Sequence, residues 1–196
     1  MFTGIIQDIG VVAGIVKDGD WLLTIEPRAL PLAQTSIGAS IACSGVCLTV
    51  VAKADKWFQV QTSTETLDKT TIKNWQSGTH INLEPALRMG DPLGGHLVSG
   101  HVDGVGRVIT TTKEQDSLRL QFEAPQDMAR FLAAKGSVTI DGVSLTVNDV
   151  EGARFTVNII PHTQSATTLG KLATGDAVNF EADMMARYAD RLLHPQ

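Results

Sequence analysis

The chain carries its own sequence twice. Residues 40–84 match residues 137–181 without a gap, with Gly45 falling on Gly142 at a constant offset of 97. Identities include Ser40/Ser137, Gly45/Gly142, Val46/Val143, Leu48/Leu145, Thr49/Thr146, Val50/Val147, Phe58/Phe155, Asn82/Asn179 and Glu84/Glu181. At an offset of 96 the opening Thr3-Gly4-Ile5-Ile6 also falls on Ser99-Gly100-His101-Val102, so both units begin and end alike. A unit this long can bury its own core, so the period predicts two domains rather than a solenoid. Gly90, Pro92, Gly94 and Gly95 punctuate the stretch from Arg88 to His96, which divides the chain into 1–96, 97–183 and a tail of 184–196.

Each unit reads as a set of short strands. Val102 to Thr112, Ser117 to Glu123, Ser137 to Ile140, Val143 to Val150, Arg154 to Ile160 and Ala177 to Ala182 are rich in Val, Ile, Thr and Phe and are separated by Gly, Asp and Asn. Leu118, Leu120 and Phe122 alternate with Arg119, Gln121 and Glu123, the period of a sheet with one buried face. Six strands per unit predict an all-β fold of two small barrels. Helical patterns are confined to Gln126 to Ala134 and to Met184 to Leu193. The second places Met184 or Met185, Tyr188 and Leu192 on one stripe opposite Arg187 and Arg191. A helix this short needs docking to persist, and its pattern leaves open whether it packs on its own barrel or on another subunit.

Composition removes several classes of function. The formal net charge is −5 and no run of Lys or Arg occurs, so the electrostatic footprint of a nucleic-acid binder is missing. No apolar stretch approaches the roughly 18 residues that a membrane-spanning helix needs. The N-terminus also lacks the basic region of a signal peptide, which predicts a cytoplasmic protein. The two cysteines, Cys43 and Cys47, have no His or Cys spaced to complete a zinc site, so no metal is expected.

Period two sorts the matched loops. Cys47 and Thr49 face away from Val46, Leu48 and Val50, just as Ser144 and Thr146 face away from Val143, Leu145 and Val147. If the apolar set fills the barrel, the thiol and hydroxyls lie outside. The junction, residues 94–104, packs two histidines and four glycines into eleven positions, and such glycines let a ligand approach the backbone. His96 and His101 stand five apart, and on one continuous strand they would face opposite sides. His101 replaces Ile5 of the first unit, which suggests divided roles for the two copies.

The opening Met1-Phe2-Thr3-Gly4-Ile5-Ile6, Ser44 to Val50, Gly94 to His101, Asp141 to Val147 and the closing Asp183 to Leu193 together resemble the riboflavin synthases along essentially the whole chain. The resemblance implies two tandem six-stranded antiparallel Greek-key barrels, a C-terminal oligomerisation helix and a homotrimer. Each active site would then lie between one subunit's first barrel and a neighbour's second. It implies a transferase that needs no cofactor, passing a four-carbon unit between two 6,7-dimethyl-8-ribityllumazine molecules to give riboflavin and 5-amino-6-(D-ribitylamino)uracil. Lumazine synthase is a possible associate.

By the same resemblance, the catalytic residues are His101, Ser144, Thr146, Cys47, Phe2 and Asp183, with His101 and Ser144 assisting proton transfer. Cys47 is either a nucleophile or a small polarizable wall. The first-barrel substrate site comprises Gly4, Ile5, Ile6, Cys47, Leu48, Thr49, Gln61, Thr62, Ser63, Thr64, Glu65 and Thr66. The second comprises Gly100, His101, Val102, Ser144, Leu145, Thr146, Asn158, Ile159, Ile160, Pro161, His162 and Thr163, with Lys135 reaching in from the adjacent subunit. His162 stands where the resemblance leads one to expect Glu. Antenna proteins that hold a lumazine or flavin without converting it share the fold, and they form the rival reading.

Overall fold

The computed structural model describes residues 1–194, so the last two residues of the 184–196 tail lie outside the described residues. Thirteen strands form two sheets. In the first unit β1 (Asp8–Lys17), β2 (Trp21–Glu26), β3 (Ser40–Cys43), β4 (Val46–Lys53), β5 (Phe58–Thr62) and β6 (His80–Pro85) close into a barrel in the order β1-β2-β5-β4-β3-β6. The predicted six-stranded Greek key is therefore present. A short helix, α1 (Thr64–Lys69), follows β5 and escaped the sequence reading, because six residues hold too little periodicity to announce a helix.

The second unit repeats that order with one strand broken. β7 (Gly104–Glu114), β8 (Ser117–Glu123), β9 (Ser137–Ile140), β10 (Val143–Thr146), β11 (Val150–Glu151), β12 (Arg154–Ile159) and β13 (Ala177–Ala182) run β10-β9-β13-β7-β8-β12-β11. The expected strand from Val143 to Val150 is thus two pieces. In the first barrel a β-bulge between Val50 and Ala52 turns β4 without interrupting it. Val147 stands at the place of Val50, and there the second unit opens its ladder, leaving Asn148 and Asp149 to bond Thr156 across the gap. The expected helix at Gln126 to Ala134 is a 3-10 turn over Gln126–Phe131, and α2 (Pro161–Ala166) is the twin of α1. The C-terminal helix α3 spans Met184–Leu193 as its stripe predicted.

Alternation along the strands builds two separate cores. Val46, Leu48 and Val50 enter the first, while Leu120, Phe122, Phe155, Val157 and Phe180 enter the second. Ile25, Phe58 and Leu83 in one barrel become Phe122, Phe155 and Phe180 in the other, and those three rings pack 5.6–5.7 Å apart. Such aromatic contacts contribute about 0.5–1.5 kcal/mol per pair beyond burial.

A pseudo-twofold joins the barrels. β3 and β4 are connected by Ser44-Gly45, and β9 and β10 by Asp141-Gly142, all four residues at positive φ as a two-residue type I′ hairpin requires. The two turns touch so closely that a Cβ on Gly45 would lie 2.6 Å from Gly142 N, which admits only glycine. Asn82 Nδ2 donates to Asp141 O and Asn179 Nδ2 donates to Ser44 O, both at 2.8 Å. Their Oδ1 atoms accept from Thr168 N and Thr71 N, also at 2.8 Å. Four bonds, three of them buried and one partly so, therefore tie one copy to the other.

Candidate active site

The hairpins that form the inter-barrel contact also carry the matched loops, so their outward faces lie beside the junction. As predicted, Val46, Leu48 and Val50 are buried while Cys47 is half-buried and Thr49 exposed; Ser144 and Thr146 repeat that pattern. What covers these faces is exchanged between the units. Gly4 O accepts from Ser144 N at 2.8 Å, and Gly100 O accepts from Cys47 N at 2.9 Å. Ile6 packs on the second core and Val102 on the first. Of the expected substrate residues, Gly4, Ile5 and Ile6 thus lie with the second barrel, and Gly100, His101 and Val102 with the first. Strand periodicity describes only neighbours in the chain, so it could not report this crossing.

Two buried carboxylates fix the crossed segments. Glu84 accepts from Thr3 N, Thr3 Oγ1 and Gly4 N at 2.7–3.0 Å, and Glu181 accepts from Ser99 N, Ser99 Oγ and Gly100 N over 2.7–2.9 Å. Burial raises the Glu84 carboxyl above its ordinary pKa, and the bonds from Thr3 and Gly4 oppose that rise. Phe2 and Val98, which occupy the same place in the two units, pair by mutual backbone bonds of 2.7 and 3.1 Å. Phe2 is fully buried against Ala42 and Val98, with Cys47 beside them, so it shapes the wall under the thiol and does not itself face outward.

The second hairpin carries a polar counterpart of that wall. Ser144 and Thr139 are cross-strand neighbours, and His96 binds both: Nδ1 lies 2.7 Å from Ser144 Oγ and Nε2 lies 3.1 Å from Thr139 Oγ1. Burial lowers the His96 pKa, while the carboxylates of Asp183 and Glu181 push it back up. His96 is the residue the sequence reading left out of the site. The histidine-rich junction flagged it, but nothing local showed which hydroxyl it would meet. Ser144 thus pairs with His96, whereas His101 is exposed on the segment that rests on Cys47, and no hydrogen bond joins His101 to Ser144 among the described residues.

The other candidates divide by exposure. Leu48, Thr62 and Ile159 are buried, so their side chains do not face a ligand. Gln61, Ser63, Thr64, Glu65, Asn158, Ile160, Pro161 and His162 are exposed, and Thr66, Thr163 and Leu145 are partly so. Ser63 caps α1 by accepting from Thr66 N, whereas α2 has Pro161 at its start. Asp183 caps α3 through Oδ1 to Met185 N at 2.9 Å. Lys135 is an exposed turn residue at positive φ whose amide donates to Val147 O.

The description "lumazine binding domain" fits residues 3–86 and again residues 99–183. The chain belongs to the lumazine-binding domain family. Over all of both chains it is 48% identical to a riboflavin synthase of Brucella abortus. It is 42% identical to a riboflavin synthase of Photobacterium phosphoreum, across 98% of this chain and 89% of that one. Among solved structures it resembles LumP complexed with riboflavin, at TM-score 0.86 and 27% identity, covering 93% of this chain and 99% of that one. LumP complexed with 6,7-dimethyl-8-(1'-D-ribityl) lumazine superimposes at TM-score 0.84 and 27% identity, with the same coverage.

Proposed function

We propose that this chain is an enzyme of riboflavin formation, a transferase that converts two 6,7-dimethyl-8-ribityllumazine molecules into riboflavin and 5-amino-6-(D-ribitylamino)uracil. The observation that carries the reading is full-length identity of 48% to a riboflavin synthase, over a chain with two copies of one lumazine-binding domain. Two like pockets suit a reaction between two like molecules. All atoms of the two reactants appear in the two products, so the demand is for acid–base assistance and alignment. Holding both reactants in register contributes on the order of 7–11 kcal/mol in the best intramolecular models.

The crossed segments support a division of labour. One lumazine is bound along Cys47 to Thr49, Gln61 to Thr66 and Gly100 to Val102. The other is bound along Ser144 to Thr146, Asn158 to Thr163 and Gly4 to Ile6. Backbone amides of these loops hold the pyrimidinedione edge. His101, Ser144, Thr146 and Asp183 serve proton movement at the C7 methyl of one lumazine and the ring carbons of the other, as the four-carbon unit passes through a pentacyclic adduct. Cys47 is the wall of its pocket, backed by Phe2.

Because His101 rests on the Cys47 side, a partner chain is needed to bring it to a substrate held at Ser144. A homotrimer meets that need, with Lys135 supplied by the neighbour. Its handle is α3, where Met185, Tyr188, Leu192 and Leu193 are exposed. A cytoplasmic setting agrees with the lack of any helix long and apolar enough to cross a membrane among the described residues.

The test is to mix purified protein with 6,7-dimethyl-8-ribityllumazine, without metal or flavin, and to follow riboflavin absorbance. Turnover is expected. A stoichiometric complex that never turns over would identify an antenna protein instead.

A further inference from the structure

We propose that His96 is a positioning residue of the reaction, orienting the Ser144 hydroxyl toward substrate through a hydrogen-bonded bridge that runs Thr139–His96–Ser144. The proposal rests on the reading that Ser144 faces a bound lumazine. Its geometry is independent of that reading. Thr139 and Ser144 oppose each other on β9 and β10, and the imidazole spans them with contacts of 3.1 and 2.7 Å. The chain path forces this placement. His96 N donates to Thr3 O at 3.2 Å, and a Cβ on the preceding Gly95 would stand 2.2 Å from Thr3 O and 2.8 Å from Ser144 Oγ, so the junction lies flat on the serine.

The first barrel shows that the fold does not require this bridge. There the same cross-strand pair is Ala42 and Cys47, covered by Phe2 and Val98, with no imidazole. A barrel of this kind therefore builds its hairpin without the histidine. The second copy has replaced an apolar seal by three polar side chains in line, at the hairpin the proposed chemistry uses.

The bridge orders the hydroxyl protons. A neutral imidazole donates from one nitrogen and accepts at the other, so one hydroxyl must donate to it and the other must accept. With Nε2–H directed to Thr139, the Ser144 hydroxyl donates to Nδ1 and keeps both oxygen lone pairs for a substrate proton. Protonation turns both nitrogens into donors and removes that arrangement. The carboxylates acting on His96 are Asp183 at the start of α3 and Glu181 on β13; its partners on β9, β10 and the N-terminal segment, Thr139, Ser144 and Thr3, carry no charge.

The experiment compares His96→Phe, His96→Asn, Ser144→Ala and the double variant His96→Phe/Ser144→Ala in the full-length protein. It measures steady-state kcat against pH and binding of 6,7-dimethyl-8-ribityllumazine by fluorescence. His96→Phe is expected to lower kcat about tenfold or more, a positioning loss that can fall short of the roughly 10²–10⁴-fold that a proton-transferring group itself supplies. Ligand affinity should remain within about threefold, well under that factor. His96→Asn, whose amide can still meet Ser144, should recover much of the loss and abolish the acid limb that histidine titration gives the parent. The double variant should be no slower than Ser144→Ala, because both changes break one unit. Should the Phe variant fail to fold, the missing acid limb in the Asn variant carries the test.

A full kcat in His96→Phe overturns the proposal while leaving the proposed activity intact, and so do losses that multiply in the double variant. Undiminished turnover in Ser144→Ala overturns it together with the serine's role. A parent protein that binds lumazine but makes no riboflavin defeats the activity itself, and that outcome is visible before any substitution is made.

Discussion

The two hairpin faces share one backbone and differ in chemistry. On β3 and β4, Ala42 and Cys47 meet a fully buried Phe2, and the crossing segment touches them with Gly100. On β9 and β10, Thr139 and Ser144 meet His96, and the crossing segment contributes Gly4. The contrast extends to the segments themselves, where Ile5 of one copy is His101 of the other, and to the residue after the last strand, where Ala86 answers to Asp183. Duplication has kept the mirrored bonds of Asn82 and Asn179, of Glu84 and Glu181, and of Gly4 and Gly100, and has collected hydroxyl and acid groups at the second hairpin. A homogeneous pair of binding pockets would need no such bias, whereas a reaction in which two identical molecules play unlike parts does.

The largest effect expected is on assembly. Deleting 184–196 removes Met185, Tyr188, Leu192 and Leu193, and it should yield monomers with little activity. Sedimentation that still finds a trimer would break the claim that α3 holds the chains together. Next, His101→Gln should slow kcat by about 10²-fold or more while ligand binding stays measurable, as expected on removing a general acid or base. The opposite face sharpens the contrast: Cys47→Ser should keep kcat within about tenfold, because a wall needs size more than a thiolate. A loss as deep as that of His101→Gln would make Cys47 a nucleophile.

A third pair of substitutions tests the contacts that the copies share. Asn82→Ala and Asn179→Ala each leave two buried or half-buried backbone groups across the interface without a partner. Each should cost about 2–4 kcal/mol in denaturant unfolding. The two costs should match to within roughly 1 kcal/mol, given the mirrored bonds.

The smallest effect separates the twin turns. Burial pushes the Asp141 carboxyl up to about 7 from 3.8, against the bond it accepts from Asn179 N, while Ser44 at the same place has no charge to titrate. The folded chain keeps that proton where the unfolded chain gives it up, so this residue's contribution to stability falls as pH rises from near 4 to near 7. Asp141→Asn should therefore gain melting temperature over the parent progressively across that window and hold the gain above it. His96 works in the opposite sense: its lowered pKa means stability is lost as pH drops below the ordinary histidine range.

How much of this was legible in the sequence follows from how far each signal reaches. The repeat, the two barrels, the helix at Met184–Leu193 and the outward facing of Cys47, Thr49, Ser144 and Thr146 rest on spacing within a strand or helix, which backbone geometry enforces residue by residue. Asp141-Gly142 likewise announces its own turn. The break between β10 and β11, the exchange of Gly4 and Gly100 between barrels and the union of His96 with Ser144 were settled only by folding. The last two join residues tens of positions apart in the chain, where no periodicity reaches and only close packing and the pairing of buried polar groups decide which side chains meet.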